Sequence, residues 1–258
     1  MTNRLTKLFA HKKRGILNVY FTAGHPTIDS ISTIINSLSD HGADIIEIGM
    51  PYSDPMADGP TIQDSSMIAL KNGMNLSHLF EQIAIARKTT QLPLILMGYY
   101  NQLIQYGIES FVQKSAEVGV DGFIIPDLPM AIFERDHQQL FEDHNISLSF
   151  LITPQTSEER IRKADELSSG FIYMVSQSSI TGSTRDINQD QIVYFDRVNA
   201  MHLKNPRLIG FGIHDKETKD MAFRNSNGAI IGSAFIRAIG SENGTLEERI
   251  ENFFQGIN

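Results

Sequence analysis

From Ile16 onward the chain alternates between two hydrophobic rhythms. Short apolar runs recur: ILNVYF (Ile16 to Phe21), DIIEIG (Asp44 to Gly49), LILM (Leu94 to Met97) and GFIIPD (Gly122 to Asp127). SLSFLI (Ser147 to Ile152), GFIYMVS (Gly170 to Ser176), RLIGFG (Arg207 to Gly212) and GAIIGSA (Gly228 to Ala234) complete the series. Between them lie segments of helical period, such as Ile31, Ile34, Ile35 and Leu38, or Leu79, Phe80, Ile83 and Ala86. Apolar residues spaced three and four apart give a helix one apolar face, whereas a strand buried on both faces reads as an unbroken apolar run. Strands alternating with helices imply βαβ units and a parallel sheet. Eight such units suit closure better than an open sheet. The expected fold class is therefore α/β, a single (β/α)8 TIM barrel covering residues 1–258.

Two departures from an even repeat add detail. Leu5, Leu8 and Phe9 stand at helical spacing within the first fifteen residues, so an extra amphipathic N-terminal helix should pack on the barrel. The intervals from Ile45 to Leu94 and from Phe171 to Leu208 are longer than the rest. The surplus begins with PYSDPMADGP after strand two and SQSSITGSTRD after strand six. Long loops after those strands belong on the carboxyl-terminal face, where barrel enzymes work, and such insertions are usually lids or binding loops. Part of the first surplus reads as an extra helical turn around Asp64 to Leu70.

Composition narrows the function. Thirty acidic residues against 22 basic ones leave a net charge of −8, which argues against a nucleic-acid partner. There is no cysteine, so disulfides, thiolate catalysis and cysteine-ligated zinc are excluded. No run reaches transmembrane length, and the basic, interrupted N-terminus (Arg4, Lys7, Lys12, Lys13, Arg14) lacks the apolar core of a secretory leader. A cytoplasmic location is the expectation.

Chemistry concentrates at Ile46 to Gln63, IEIGMPYSDPMADGPTIQ. Glu47 is a lone carboxylate in an apolar strand, expensive unless its charge is used or neutralised. It is either an acid–base group near the strand's carboxyl end or a structural acid paired with Arg or Lys. Asp58 admits a turn or helix-cap reading beside a functional one. Gly210, Gly212 and Gly232-Ser233 close strands seven and eight, where barrels often bind phosphate. Ser233 to Ile239 reads as a short helix whose free N–H groups favour an anion. Without a GxGxxG turn or Walker sequence, no nucleotide is indicated. The eight histidines have no metal-binding spacing; His25 and His214 read as solvated loop residues. Asp127 reads as turn chemistry or a partner contact, and Thr156 or Ser157 as a helix cap.

On these residues the chain resembles the tryptophan synthase α-subunit family. IEIGMPYSDPMADGPTIQ is the most specific match. TAGHP (Thr22 to Pro26), MGYYN (Met97 to Asn101), PDLP (Pro126 to Pro129), SITG (Ser179 to Gly182), GFGI and IGSA (Ile231 to Ala234) support it. The resemblance implies retro-aldol cleavage of indole-3-glycerol phosphate to indole and glyceraldehyde 3-phosphate, late in tryptophan biosynthesis. Glu47 would be the acid–base residue, and Asp58 would accept the indole N–H. Phosphate would rest on Gly182, Gly212, Gly232 and Ser233. Tyr20, Met97, Ile124, Tyr173 and Phe211 would line the apolar pocket, while Thr181 would close beside Asp58. No metal and no cofactor is implied for this chain; pyridoxal phosphate belongs to the β subunit, the expected partner in an α2β2 assembly. A stand-alone lyase, or a subunit that mainly activates its partner, is the alternative.

Three departures bear on loop motion and partner contact. Ser179 precedes Ile180 where the family usually has glycine, the DLPPEE-like run is DLPMAI (Asp127 to Ile132), and Gln102 replaces the proline of YYNP.

Overall fold

The computed structural model describes residues 2–56, 58–176, 189–210 and 212–258. Its strands are β1 (Ile16–Thr22), β2 (Ile45–Gly49), β3 (Leu94–Met97), β4 (Gly122–Ile124), β5 (Ser147–Leu148), β6 (Leu151–Ile152), β7 (Ile172–Val175), β8 (Arg207–Gly210) and β9 (Gly228–Ile231). They form one parallel sheet in the order β5-β4-β3-β2-β1-β9-β8-β7-β6.

The two ends of that order, β5 and β6, are halves of the single run SLSFLI, and the sheet curls to meet itself there. Ser149 N–H donates to the Phe123 carbonyl at 3.1 Å on one side, and Tyr173 N–H donates to the Phe150 carbonyl at 3.0 Å on the other. The run divides because serine hydroxyls take the place of ladder carbonyls. Leu148 N–H donates to Ser169 Oγ, Phe150 N–H to Ser168 Oγ, and Phe171 N–H to Ser149 Oγ. Eight βα units thus close into the expected (β/α)8 barrel.

Successive side chains of a strand point to opposite faces. One face packs outward under the helices through Val19, Phe21, Ile46, Ile48, Leu96, Phe123, Ile209 and Ile231. The other fills the lumen with Ile16, Ile45, Ile95, Ile124, Phe171, Leu208 and Ile230. That inner cluster also takes in Leu5 and Phe9 from the helix Arg4–His11, which therefore stops the barrel's amino-terminal end. Asn3 caps this helix and ties it to the barrel, donating to the carbonyls of Asp121 and Asn145. That helix covers one end of the lumen.

The surplus after β2 is more than an extra turn. A whole helix, Pro60–Lys71, precedes the unit's packing helix, Leu76–Ala86. The segment after β7 that carries Ser179 to Gly182 lies outside the described residues, as do Ala57 and Phe211. Ser157, rather than Thr156, caps the helix Glu158–Leu167; the Thr156 hydroxyl accepts instead from Thr153 N–H.

Candidate active site

Register decides which residues share the lumen. On β1, Asn18, Tyr20 and Thr22 follow Ile16 on the inner face. Pairing of Tyr20 with Glu47, and of Glu47 with Ile95, carries that face across β2 and β3. Glu47 therefore points into the barrel and not toward the helices. It is 1% exposed. Asn18 Nδ2 donates to its Oε2 at 2.6 Å, while Oε1 has no hydrogen-bond partner among the described residues. No Arg or Lys pairs with it among the described residues, so the structural ion-pair reading has no support there. Burial pushes the carboxyl up to about 8; the Asn18 bond opposes that rise and the Asp58 charge adds to it. A group so placed holds and releases a proton near neutrality.

Asp58 follows β2 in the loop before the helix Pro60–Lys71. Its side chain does not cap that helix, whose N-cap is Gly59. Instead Asp58 Oδ2 accepts from the Tyr99 hydroxyl at 3.0 Å, with Asp58 9% exposed. Burial raises its pKa, and the Tyr99 bond counters part of the rise. Tyr99 is in turn stacked on Tyr52, ring centroids 5.1 Å apart. Gln102 braces both loops: its Oε1 accepts from Tyr99 N–H at 2.9 Å and its Nε2 donates to the Pro51 carbonyl at 3.1 Å. The residue that departs from the family's proline thus ties the loop after β2 to the loop after β3.

Tyr20 and Tyr173 reach the same space from β1 and β7. Burial, chiefly, and the charges of Glu47 and Asp58 push both phenols far above their usual range, so they stay neutral. Each ring occupies room left by a glycine on a neighbouring strand. A side chain at Gly49 would collide with the Tyr20 hydroxyl, and one at Gly210 with the Tyr173 hydroxyl. Gly210 therefore makes room for that ring. Ile124 is fully buried on the inner face, and Met97, half-buried, packs against the same cluster.

Because every strand runs the same way, the loops after β8 and β9 sit at the same end as Glu47. Gly212 has φ +79°, a conformation glycine adopts without strain. Gly232 is the N-cap of the helix Ser233–Ile239, whose first-turn N–H groups have no intrahelical acceptor. The Tyr20 ring packs against Gly232, joining this helix end to the lumen. Of the residues expected in the site, the structure gathers Glu47, Asp58, Tyr20, Met97, Ile124, Tyr173, Gly212, Gly232 and Ser233 at one end of the barrel. Thr181, Gly182 and Phe211 lie outside the described residues.

Other expectations change. His25 is not a solvated loop residue; it is 6% exposed, and burial lowers its pKa. His214 is exposed, with Nδ1 2.8 Å from the Gly212 carbonyl. Asp127 accepts from Tyr100 N–H at 2.8 Å, capping from the β4 loop the helix Tyr100–Tyr106 of the preceding unit. Sequence reasoning missed Asn18 and Tyr99 as partners of the two carboxylates. Asn18 carried a signal, a lone amide in an apolar strand run two positions before Tyr20. Among the described residues no three His, Asp or Glu side chains cluster as metal ligands, and no helix is long and apolar enough to cross a membrane.

Fold and site together define a (β/α)8-barrel protein with two buried carboxyl groups at its open mouth and a glycine-led helix start at the same end. Comparison with known proteins narrows that class. The family model described as tryptophan synthase alpha chain matches residues 6–256. The tryptophan synthase alpha chain of Flavobacterium psychrophilum is 52% identical over 242 residues, covering 94% of this chain and 95% of that one. That of Parabacteroides distasonis is 48% identical over 255 residues, 99% of each. Among solved structures, the tryptophan synthase complex from Pyrococcus furiosus superposes with TM-score 0.85 at 32% identity, covering 95% of this chain and 97% of that one. The Legionella pneumophila alpha chain does so with TM-score 0.87 at 28% identity, covering 98% and 95%. The chain belongs to the tryptophan synthase alpha chain family.

Proposed function

We propose that this chain cleaves indole-3-glycerol phosphate to indole and glyceraldehyde 3-phosphate, with Glu47 as the proton carrier and Asp58 as its polar counterpart. The substrate is an apolar ring joined to a phosphorylated three-carbon tail. It calls for an apolar pocket with a few directional polar groups. Tyr20, Met97, Ile124 and Tyr173 supply the apolar wall in this reading, with Phe211 beside them. Gly212, Gly232 and Ser233, with Gly182 from the loop after β7, hold the phosphate through backbone N–H groups and the serine hydroxyl. Thr181 closes that loop beside Asp58.

The chemistry follows from the two acids. Protonated Glu47 donates to the ring carbon bearing the side chain, and Asp58 accepts the ring N–H as positive charge builds on the nitrogen. Glu47, now ionised, removes the proton of the adjacent hydroxyl. The carbon–carbon bond breaks, its electron pair returns to the ring as indole, and the hydroxyl carbon leaves as the aldehyde. One group must give and then take a proton, which suits a carboxyl near 8 better than an ordinary one near 4.5.

The residues 1–258 act as one domain in the cytoplasm. The partner is the β subunit of tryptophan synthase, in an α2β2 assembly that receives the indole. Pyridoxal phosphate belongs to that subunit, and this chain's own step uses no cofactor.

The observation that carries the reading is Glu47, buried on the inner face with one oxygen lacking a hydrogen-bond partner among the described residues. The test is indole release from indole-3-glycerol phosphate by the purified chain, with and without a β subunit. Glu47→Gln and Asp58→Asn should each abolish release with the fold intact. Turnover retained by either variant would overturn its assigned role.

A further inference from the structure

Asn18 is the side chain of the run ILNVYF that hydrogen-bonds Glu47, and it is 0% exposed. Its register partners on the two neighbouring strands are aliphatic, Ile45 on β2 and Ile230 on β9. A buried amide costs free energy unless hydrogen-bonded, so packing alone would favour an aliphatic residue here. Asn18 and Glu47 are diagonal neighbours, because Asn18 pairs with Ile45 and Tyr20 with Glu47. The 2.6 Å bond leaves two atoms without a partner among the described residues, Asn18 Oδ1 and Glu47 Oε1. Each group meets the other with one atom and leaves its second atom free.

An amide has a property no aliphatic or carboxylate side chain shares at this position. Its NH2 donates to Oε2 of the ionised carboxylate and also to Oε2 as the carbonyl oxygen of the acid, whose proton is then carried on Oε1. Both states of Glu47 therefore keep a hydrogen-bond partner on the same oxygen. We infer that Asn18 is a positioning residue for Glu47, anchoring Oε2 through both protonation states so that Oε1 is the oxygen presented to substrate. The inference rests on Glu47 being the proton carrier of the reaction proposed above.

The other groups facing Glu47 cannot substitute. Asp58 from the β2 loop repels its ionised form. Tyr20 from β1 and Tyr173 from β7 feel its charge without a hydrogen bond to it among the bonds described, and Tyr99 from the β3 loop is engaged with Asp58. Among the bonds described, the donation from Asn18 is the one that stabilises the ionised state, so its removal should raise the carboxyl pKa. Because the bond to the charged form is the stronger of the two, losing it moves the pKa by about one pH unit.

The test uses the full chain with its β subunit, and Asn18→Leu as the variant. Two readouts are combined: the pH dependence of kcat/KM for indole release, and titration of the Glu47 side-chain carboxyl by 13C NMR, assigned by its absence in Glu47→Gln. The expected result is a carboxyl titrating about one pH unit higher, with the same shift in the pH profile and kcat reduced more than KM is changed. Asn18→Ser, too short to reach position 47, should behave as Asn18→Leu does and serves in its place if the leucine variant does not fold. An unchanged titration and profile in the variant that folds would overturn the inference. The NMR shift judges Asn18 independently of activity. A chain in which the shift appears while Glu47→Gln still releases indole would refute the catalytic reading, and with it Asn18's role in the reaction, while leaving the contact proved.

Discussion

Holding Glu47 in the lumen should cost this fold stability, and the cost should depend on pH in a definite direction. The perturbation is Glu47→Gln, which keeps the shape and removes the charge. Burial raises the carboxyl from 4.5 to about 8, so in the folded chain it binds a proton that the unfolded chain releases between those values. Stability falls with rising pH wherever the folded state binds more protons. Below pH 4.5 both states are protonated and the penalty vanishes; above about 8 both are ionised and it is complete. At 1.36 kcal/mol per pH unit the full penalty is about 5 kcal/mol, and at pH 7 about 3 kcal/mol. For a chain of this size that corresponds to a melting temperature about 6 °C higher for the variant at pH 7.

Thermal unfolding of both proteins by circular dichroism at intervals from pH 5 to 9 gives the comparison. The gap between variant and wild type should open steadily with pH and flatten above 8. A gap independent of pH, or a wild type more stable than the variant at pH 8, would refute the claim that Glu47 is buried without a compensating cation. Confirmation would mean that the group proposed to carry the proton is one the fold holds at its own expense.

Two further outcomes follow from contacts beside the carboxylates. Tyr99→Phe removes the hydroxyl that donates to Asp58 Oδ2 and should raise the Asp58 pKa; kcat/KM for indole release should fall about tenfold, the equivalent of about 1.4 kcal/mol, with little change in far-ultraviolet dichroism. Equal kcat/KM across the pH range would show the bond to be idle. Gly210→Ala places a methyl group against the Tyr173 hydroxyl and should destabilise the chain by about 1–3 kcal/mol in urea unfolding, whereas combining it with Tyr173→Phe should recover part of the loss; no recovery would mean the glycine serves something other than that ring.

Much of this arrangement can be read along the chain, because burial and period are local properties of composition. Eight apolar runs spaced by amphipathic segments imply a barrel, and Leu5, Leu8 and Phe9 imply the helix that stops it. A carboxylate inside Ile45, Ile46 and Ile48 announces itself because solvation makes it costly there. Glycine and serine after the last two strands are equally visible. What these patterns hold in common is that one segment suffices to carry them.

Pairings between segments are another matter. Nothing in the spacing of ILNVYF and DIIEIG says that Asn18 will meet Glu47, because strand register depends on every neighbour in the ring. Tyr99 lies forty-one positions from Asp58, and its hydroxyl reaches that carboxylate only through the loop geometry that Gln102 braces. Asp127 looks like turn chemistry until the helix it caps, from the preceding unit, is folded beside it. His25 reads as solvated in sequence and is buried in space; Gly210 reads as an approach for a ligand and makes room for Tyr173. The local chain determined which groups exist and which face of a strand they occupy, since those follow from periodicity and transfer free energy. Only closure of the ring decided who touches whom, because a contact between residues far apart in the chain is a property of the packed whole.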